Sequence, residues 1–329
     1  MKMIKPYLKL ARSFNAGLTG IAPVLGALAA GESGLAHLFM FFLVGFFGHS
    51  YGFALNDIMD YRIDRLSSEL GERPLVKKEI SIKQAWAFTI AMLILSIVFA
   101  FYLAILYSNY FSLLYLFISA ICITIYDSIS KKFPAMDVFV ALGIFFLILY
   151  GASTAGRVTT LTWIVIALGS LQVLFMQFVA GGLKDVEHDY KAKARTLAIK
   201  LGVRVINKKM HVPSSFKILT YALEAIYLIF LFYPFIFLPQ FKEKYIQLTV
   251  VILLSAVMLY ISYKLISMKI FERNKARKYI GLHYYINFSL TPIMLSCINP
   301  WIALLAFVPA LAFILSNITL HGSLLPKTM

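Results

Sequence analysis

Charge is what this chain has least of. Only 14% of its 329 residues are Asp, Glu, Lys or Arg, and just 15 of them are acidic. With 60% apolar residues and a mean hydropathy of +0.81, the composition excludes an ordinary water-soluble domain. Short segments of alternating hydrophobicity, about ten residues each, are also missing, which excludes a transmembrane barrel. Cysteine is scarce: Cys122 and Cys297 both lie inside apolar runs, so neither a disulfide framework nor a thiolate metal site is indicated. The basic N-terminus, Met1 to Arg12, is not followed by a small-residue cleavage site, and no removable signal peptide is expected.

What is present is a series of long apolar runs, and runs of about 18 or more residues are read as membrane spans. They fall near Phe14 to Gly31, Leu35 to Asp57, Ala85 to Tyr107, Tyr110 to Tyr126 and Asp137 to Gly156. Further runs lie near Leu161 to Leu183, from about Ser215 to Leu238, and near Tyr245 to Met268. The stretch from His283 to Leu320 is broken at Asn299-Pro300 and reads as one bent span or two short ones. The prediction is an all-α, polytopic transmembrane helical bundle of nine or ten spans.

The net charge of +16 would point to nucleic acid in a soluble protein, but here the positive residues fall between the spans. Lys and Arg concentrate at the N-terminus and in the loops after the second, fourth, sixth and eighth spans. The intervening loops carry little more than Arg157, Lys242 and Lys244. Cytoplasmic loops collect Lys and Arg, so the N-terminus and the four polar loops are expected in the cytoplasm. The chain then reads as an integral protein of the cell membrane, with lipid rather than nucleic acid as its surroundings and no obligate protein partner implied.

Against this background the acidic residues stand out by position. The second span runs into Asn56-Asp57-Ile58-Met59-Asp60-Tyr61-Arg62-Ile63-Asp64. If the helix continues, Asp57, Asp60 and Asp64 share one face at i, i+3 and i+7, with Asn56 four residues before Asp60. Three neighbouring anions repel one another unless cations join them, and Mg²⁺ suits such oxygen ligands. A solvated acidic helix end has the same pattern. The sixth span ends in Lys184-Asp185-Val186-Glu187-His188-Asp189, where Asp185 and Asp189 are spaced i, i+4, as are Lys184 and His188. Both stretches open to the same predicted side. Asp clusters on two helices suit two or more Mg²⁺ ions clamping a diphosphate. Arg12, Arg62, Arg73, Lys77, Lys131 and Lys184, on that same side, are candidate phosphate ligands.

These motifs resemble the UbiA superfamily of intramembrane prenyltransferases. The Asn-Asp-x-x-Asp-x-x-x-Asp hallmark is complete at Asn56, Asp57, Asp60 and Asp64, and Arg73-Pro74-Leu75 follows it. Asp185 and Asp189 match the second hallmark, trailed by Thr196 to Ala198 and Leu201-Gly202. Tyr126-Asp127-Ser128 with Lys131 resembles the segment between the two, and Arg12-Ser13-Phe14-Asn15 the entry to the first span. The resemblance implies a single domain over residues 1–329, with helices around a central cavity open to the cytoplasmic side and laterally to lipid. Weak internal symmetry divides it into halves of about 1–136 and 137–282 with a further span region at 283–329.

It also implies Mg²⁺-dependent transfer of an isoprenoid chain from its diphosphate to a small acceptor. In that scheme Asn56, Asp57, Asp60, Asp64, Asp185 and Asp189 hold metal, and Arg12, Arg62, Arg73, Lys131 and Lys184 bind diphosphate. Asn15, Asn56 and Tyr126 lie on the substrate and acceptor side. Where the family often has Gly before the last Asp of the second motif, this chain has His188, and it is more basic at Lys77-Lys78 and Lys191-Ala192-Lys193. These departures leave the acceptor open between an aromatic quinone precursor and a glycerophosphate-type precursor of ether lipids. Two other classes share some of these features. An ion-coupled transporter would place its acids near the bilayer midplane. A phosphatidyl-alcohol transferase would need Asp-Gly followed by Ala-Arg in its acidic motif, which neither stretch has. Glu224, inside the seventh span, counts as a functional candidate by its position alone.

Overall fold

The computed structural model of the chain describes residues 4–65, 71–129, 133–191 and 196–322. In lipid each backbone N–H and C=O must be satisfied within its own segment, and the apolar runs accordingly form helices. The chain opens with α1 (Lys5–Leu10), α2 (Ser13–Ala29), α3 (Leu35–Asp64), α4 (Ile82–Leu106) and α5 (Ser112–Ile129). Next come α6 (Val138–Ala155) and α7 (Thr160–Leu174), the latter continued by a π-helical stretch, Phe175–Gly181. Three short helices follow, α8 (Gly182–Lys184), α9 (Val186–Lys191) and α10 (Leu197–Lys200), then a hairpin of β1 (Arg204–Ile206) and β2 (Lys209–His211). The last long helices are α11 (Ser214–Phe237), α12 (Tyr245–Ile266) and α13 (Arg273–Leu295), and a 3₁₀ segment, Pro300–Phe307, leads into α14 (Val308–His321). Among the described residues, eight helices are long and apolar enough to cross a membrane, and Asn15–Ala29 is a shorter apolar one.

The chain divides into two compact units. One comprises Met1–Ser128, Gly143–Thr162 and Phe307–Met329; the other comprises Ile129–Leu142 and Trp163–Ala306. In the first unit α3 packs between α2 and α4, and α14 lies along α2. Small residues let these backbones approach closely. A Cβ on Gly26 would lie 2.1 Å from the Ile148 carbonyl oxygen, and one on Gly151 would lie 2.0 Å from that of Pro23. Buried hydroxyls add ties across helices: Ser96 donates to the Val44 carbonyl at 2.9 Å, and Ser119 to that of Gly143 at 2.7 Å. The outward face of α4 carries Ile90, Ile94, Ile97 and Phe101, all exposed, as suits contact with lipid tails.

In the second unit α12 lies against α13, and an apolar cluster gathers Phe175, Val179, Leu183, Val203, Phe216, Leu265 and Ala276. Two stretches read as polar loops are more ordered than expected. Residues 204–211 form the hairpin, whose turn residues Asn207 and Lys208 both have positive φ, 49° and 63°, the geometry that matches strand twist. The hairpin is tied to the segment between α12 and α13 through Met210 N–H to Lys269 O, 2.9 Å, and Phe271 N–H to Lys208 O, 2.7 Å. The basic run Arg273 to Lys278 is the first part of α13, because buried Ala276 and Ile280 give it an apolar face one turn apart. The stretch from His283 to Leu320 therefore divides into the end of α13 and the segment beginning at Pro300.

Candidate functional site

The site is built first on α3, which continues unbroken to Asp64, so Asp57, Asp60 and Asp64 do lie on one helical face. Asp57 and Asp64 are buried, at 4% and 3% exposure, and Asp60 is half-buried. The cations that this arrangement requires come from two other segments. Arg12 Nη2 donates to Asp57 Oδ1 at 2.9 Å. Arg73 Nη1 stands 3.2 Å from the same Asp57 oxygen and also bonds Asp64 Oδ2, so one guanidinium joins carboxylates two helical turns apart.

Local structure explains why both arginines are there. Arg12 lies between α1 and α2 in the left-handed region, φ 44°, where a side-chain-bearing residue is strained. Its carbonyl faces Nε2 of His49 at 3.4 Å, the other ring nitrogen of which meets Thr19 Oγ1 at 2.8 Å. Its guanidinium lies 4.8 Å from the centre of the Phe53 ring, a cation–π contact one turn before Asp57. Arg73 is held by the residue after its proline: Leu75 is buried with Leu10, Ala54, Ile80 and Ala85 in a small apolar cluster. The Arg-Pro-Leu sequence is thus an anchor and a charge in three residues.

The remaining candidates are placed less uniformly. Asn56 donates from Nδ2 to Asp127 Oδ1 at 3.2 Å. Asn15 is half-buried in the first turn of α2, and Tyr126 is half-buried near the end of α5. Arg62 is exposed in the last turn of α3. Lys131 lies outside the described residues, as do the side chains of His188 and Asp189. In the second unit the spacing argument for Asp185 does not hold: the helix breaks there, with Asp185 at φ −105°, ψ 4° between α8 and α9. Asp185 and Asp189 are therefore not on one continuous helical face, nor are Lys184 and His188. Lys184 Nζ instead stands 3.3 Å from Asp185 Oδ2.

Two residues at these acidic ends were not singled out from sequence. Arg273 donates to Asp185 Oδ1 at 3.1 Å; it was counted among loop charges, and only its place at the first turn of α13 brings it there. Asp127 sits inside Tyr126-Asp127-Ser128, and its sequence signal is a carboxylate in the last turn of an apolar helix. Glu224 also acquires partners. It accepts from Ser262 Oγ of α12 and lies 3.1 Å from His283 Nε2 of α13, whose ring stacks on Phe175 at 4.0 Å.

The donor set on α3 is all oxygen, from one Asn and three Asp, and this chemistry fits a hard divalent cation. Among the described residues no three His, Cys, Asp or Glu side chains stand close enough together to hold an ion as they are placed; Arg12 and Arg73 take up the oxygens of Asp57 and Asp64.

Comparison with known proteins agrees with the motifs. The model of the UbiA prenyltransferase family matches residues 19–276. A digeranylgeranylglyceryl phosphate synthase of Thermococcus kodakarensis is 30% identical over 220 residues, 66% of this chain and 75% of that one. The enzyme of that name from Pyrococcus abyssi is 29% identical over 221 residues, with the same coverage of 66% and 75%. A structure solved in work on digeranylgeranylglyceryl phosphate synthase in membranes superposes with a TM-score of 0.67 at 22% identity, covering 91% of this chain and 99% of that chain. A UbiA homologue from Archaeoglobus fulgidus, bound to GPP and Mg²⁺, gives 0.63 at 22% identity, covering 88% and 99%. The chain belongs to the UbiA prenyltransferase family and is an integral membrane prenyltransferase.

Proposed function

We propose that this enzyme transfers a prenyl group from a prenyl diphosphate to the hydroxyl of a glycerophosphate-type acceptor, with Mg²⁺ as its cofactor. The observation that carries the reading is the pairing of Asp57 and Asp64 with Arg12 and Arg73 at the end of α3. A diphosphate site needs both kinds of group: carboxylates to retain the metal and guanidiniums to take phosphate oxygens. That the A. fulgidus homologue was solved bound to GPP and Mg²⁺ supports a prenyl diphosphate and Mg²⁺ as the ligands. The acceptor class is supported by the relatives named digeranylgeranylglyceryl phosphate synthase.

Asn56, Asp57, Asp60 and Asp64 on α3 are proposed to hold metal, and Asp185 and Asp189 of the second unit are proposed as metal ligands in their own right. Bound there, Mg²⁺ supplies Lewis-acid stabilisation of the departing diphosphate. Arg12 and Arg73, with Arg62, Lys131 and Lys184, are proposed to bind its oxygens and offset the charge that grows as the allylic C–O bond breaks. The acceptor oxygen then bonds to the allylic carbon and its proton is lost to solvent or base. Hydrolysis would be avoided only if water were kept from the reacting carbon. Asn15, Asn56 and Tyr126 are proposed on the acceptor side, and the N-terminus and charged loops in the cytoplasm, from the distribution of Lys and Arg.

The test is product formation by purified enzyme in detergent with Mg²⁺, radiolabelled geranylgeranyl diphosphate and a panel of acceptors. Labelled ether lipid with a glycerophosphate acceptor is expected. Transfer to an aromatic quinone precursor instead would overturn the acceptor assignment, and no Mg²⁺-dependent diphosphate release with any acceptor would overturn the reaction.

A further inference from the structure

Resting on the metal reading above, we propose that Asp127 is an additional oxygen ligand of the divalent cation held by the first acidic motif. Asp127 lies in the last turns of α5, outside both hallmark motifs, and its side chain is only 6% exposed. One carboxylate oxygen, Oδ1, accepts from Asn56 Nδ2 at 3.2 Å. The other, Oδ2, is buried and has no hydrogen-bond partner. Its neighbours in electrostatic range are Asp60, Arg12 and Asp57, so it faces the acidic end of α3 rather than lipid.

A buried carboxylate oxygen with no partner is costly, and a site of this kind in a native protein calls for an explanation. Among the described residues no Lys or Arg nitrogen reaches this oxygen, and Arg12 and Arg73 are bonded to Asp57 and Asp64. A divalent cation beside Asp60 would meet the need. The bond from Asn56 strengthens the case. Because the amide nitrogen is spent on Asp127, the oxygen of Asn56 is left as its ligating atom, and Asn56 and Asp60 share a helical face at i, i+4. Asn56 Oδ1, an Asp60 oxygen and Asp127 Oδ2 then form an oxygen-only set drawn from two helices of one unit, of the kind Mg²⁺ and Mn²⁺ accept. Asp127 would do two things at once, holding the Asn56 amide in orientation and giving its second oxygen to the ion.

These two roles can be separated. In Asp127→Asn the side-chain oxygen still accepts from Asn56, but the charged second oxygen is gone. Mn²⁺ serves as the probe, with its free concentration followed by electron paramagnetic resonance during titration of the purified full-length protein in detergent, with and without inorganic diphosphate. The wild type is expected to bind Mn²⁺ and Asp127→Asn to bind it about tenfold or more weakly, at unchanged elution volume and unfolding midpoint. Asp127→Glu keeps a carboxylate and is expected to recover part of the affinity, so the test survives if the Asn variant folds poorly. Equal Mn²⁺ affinity and stoichiometry in wild type and Asp127→Asn would overturn the proposal while leaving the metal reading intact. No Mn²⁺ binding by the wild type would overturn both.

Discussion

Two places where the described residues keep carboxylates among apolar helices solve the same problem in different ways. At the end of α3, Asp57 and Asp64 are matched by Arg12 and Arg73, which arrive from a strained junction and from a loop. Within α11, Glu224 is matched by Ser262 and His283, which stand on the neighbouring helices α12 and α13. The first pairing uses long side chains on non-helical backbone, which can turn toward a phosphate without disturbing a helix. The second uses short side chains fixed by helix packing, with the imidazole stacked on Phe175. Partners that can leave mark a site for a ligand, whereas partners that cannot mark a joint between helices.

That contrast is open to attack by mutation. The largest effect is expected at Asp60. Asp60→Asn removes a charge from the face proposed to hold metal without changing its shape, and turnover should fall on the order of 10²–10³-fold or more. The variant should still insert into the membrane fraction and elute like the wild type. Asp189→Asn is expected to behave alike. Near-normal radiolabelled product from both would remove the basis for a metal site at these motifs.

Glu224→Ala probes the other side of the comparison. It leaves a buried imidazole and hydroxyl without their acceptor, and breaking such a pair costs about 3–5 kcal/mol. The thermal midpoint in detergent should drop clearly, with less loss from Glu224→Gln, which still accepts from Ser262. Turnover per folded molecule should stay within a few-fold of wild type in the Gln variant. A large fall in turnover at an unchanged midpoint would instead make Glu224 part of the chemistry and dissolve the distinction.

Arg73→Lys is a milder test of the same idea. A lysine retains the charge but replaces the planar fork with a single point donor, and Arg73 serves two carboxylates at once. The expectation is a rise in KM for prenyl diphosphate of about tenfold, near the value of one charge-assisted hydrogen bond, with a smaller change in kcat. An unchanged KM would show that Arg73 only balances aspartates.

Much of this was legible in the sequence, for stated reasons. Apart from the end of α3 and the start of α13, which extend into charged sequence, apolar runs located the long helices to within a few residues, because backbone satisfaction in lipid leaves little choice. The i, i+3, i+7 spacing of Asp57, Asp60 and Asp64 was legible because the helix does not end with its apolar part. The spacing of Asp185 and Asp189 misled, since it presumes a continuous helix and the chain turns at Asp185. The hairpin at 204–211 was missed because its strands are three residues long and its turn, Asn207-Lys208, lacks the glycine that usually signals the type. Arg273 and Asp127 are not legible for another reason. Their partners lie 88 and 71 residues away, and no local pattern encodes a contact of that separation.

The smallest effect expected is at a third acid, Glu32, in the turn between α2 and α3. Burial alone would raise its pKa, but the Tyr107 hydroxyl, the backbone N–H groups of Gly34 and Ser33, and the nearby His37 together hold it below the ordinary value of 4.5. A carboxylate with a depressed folded-state pKa adds stability above its unfolded value and loses that contribution as pH falls through the lower, folded one. Glu32 is half-buried in a turn at the edge of the bundle, and a pair of this kind should contribute about 1 kcal/mol or less. Glu32→Gln should therefore lower the thermal midpoint slightly near neutral pH, and the gap from wild type should close as the pH drops below 4.5. A gap that persisted in acid would mean that Glu32 acts through packing of the turn. Its behaviour would then resemble that of Glu224, fixed in place, rather than that of the acids on α3.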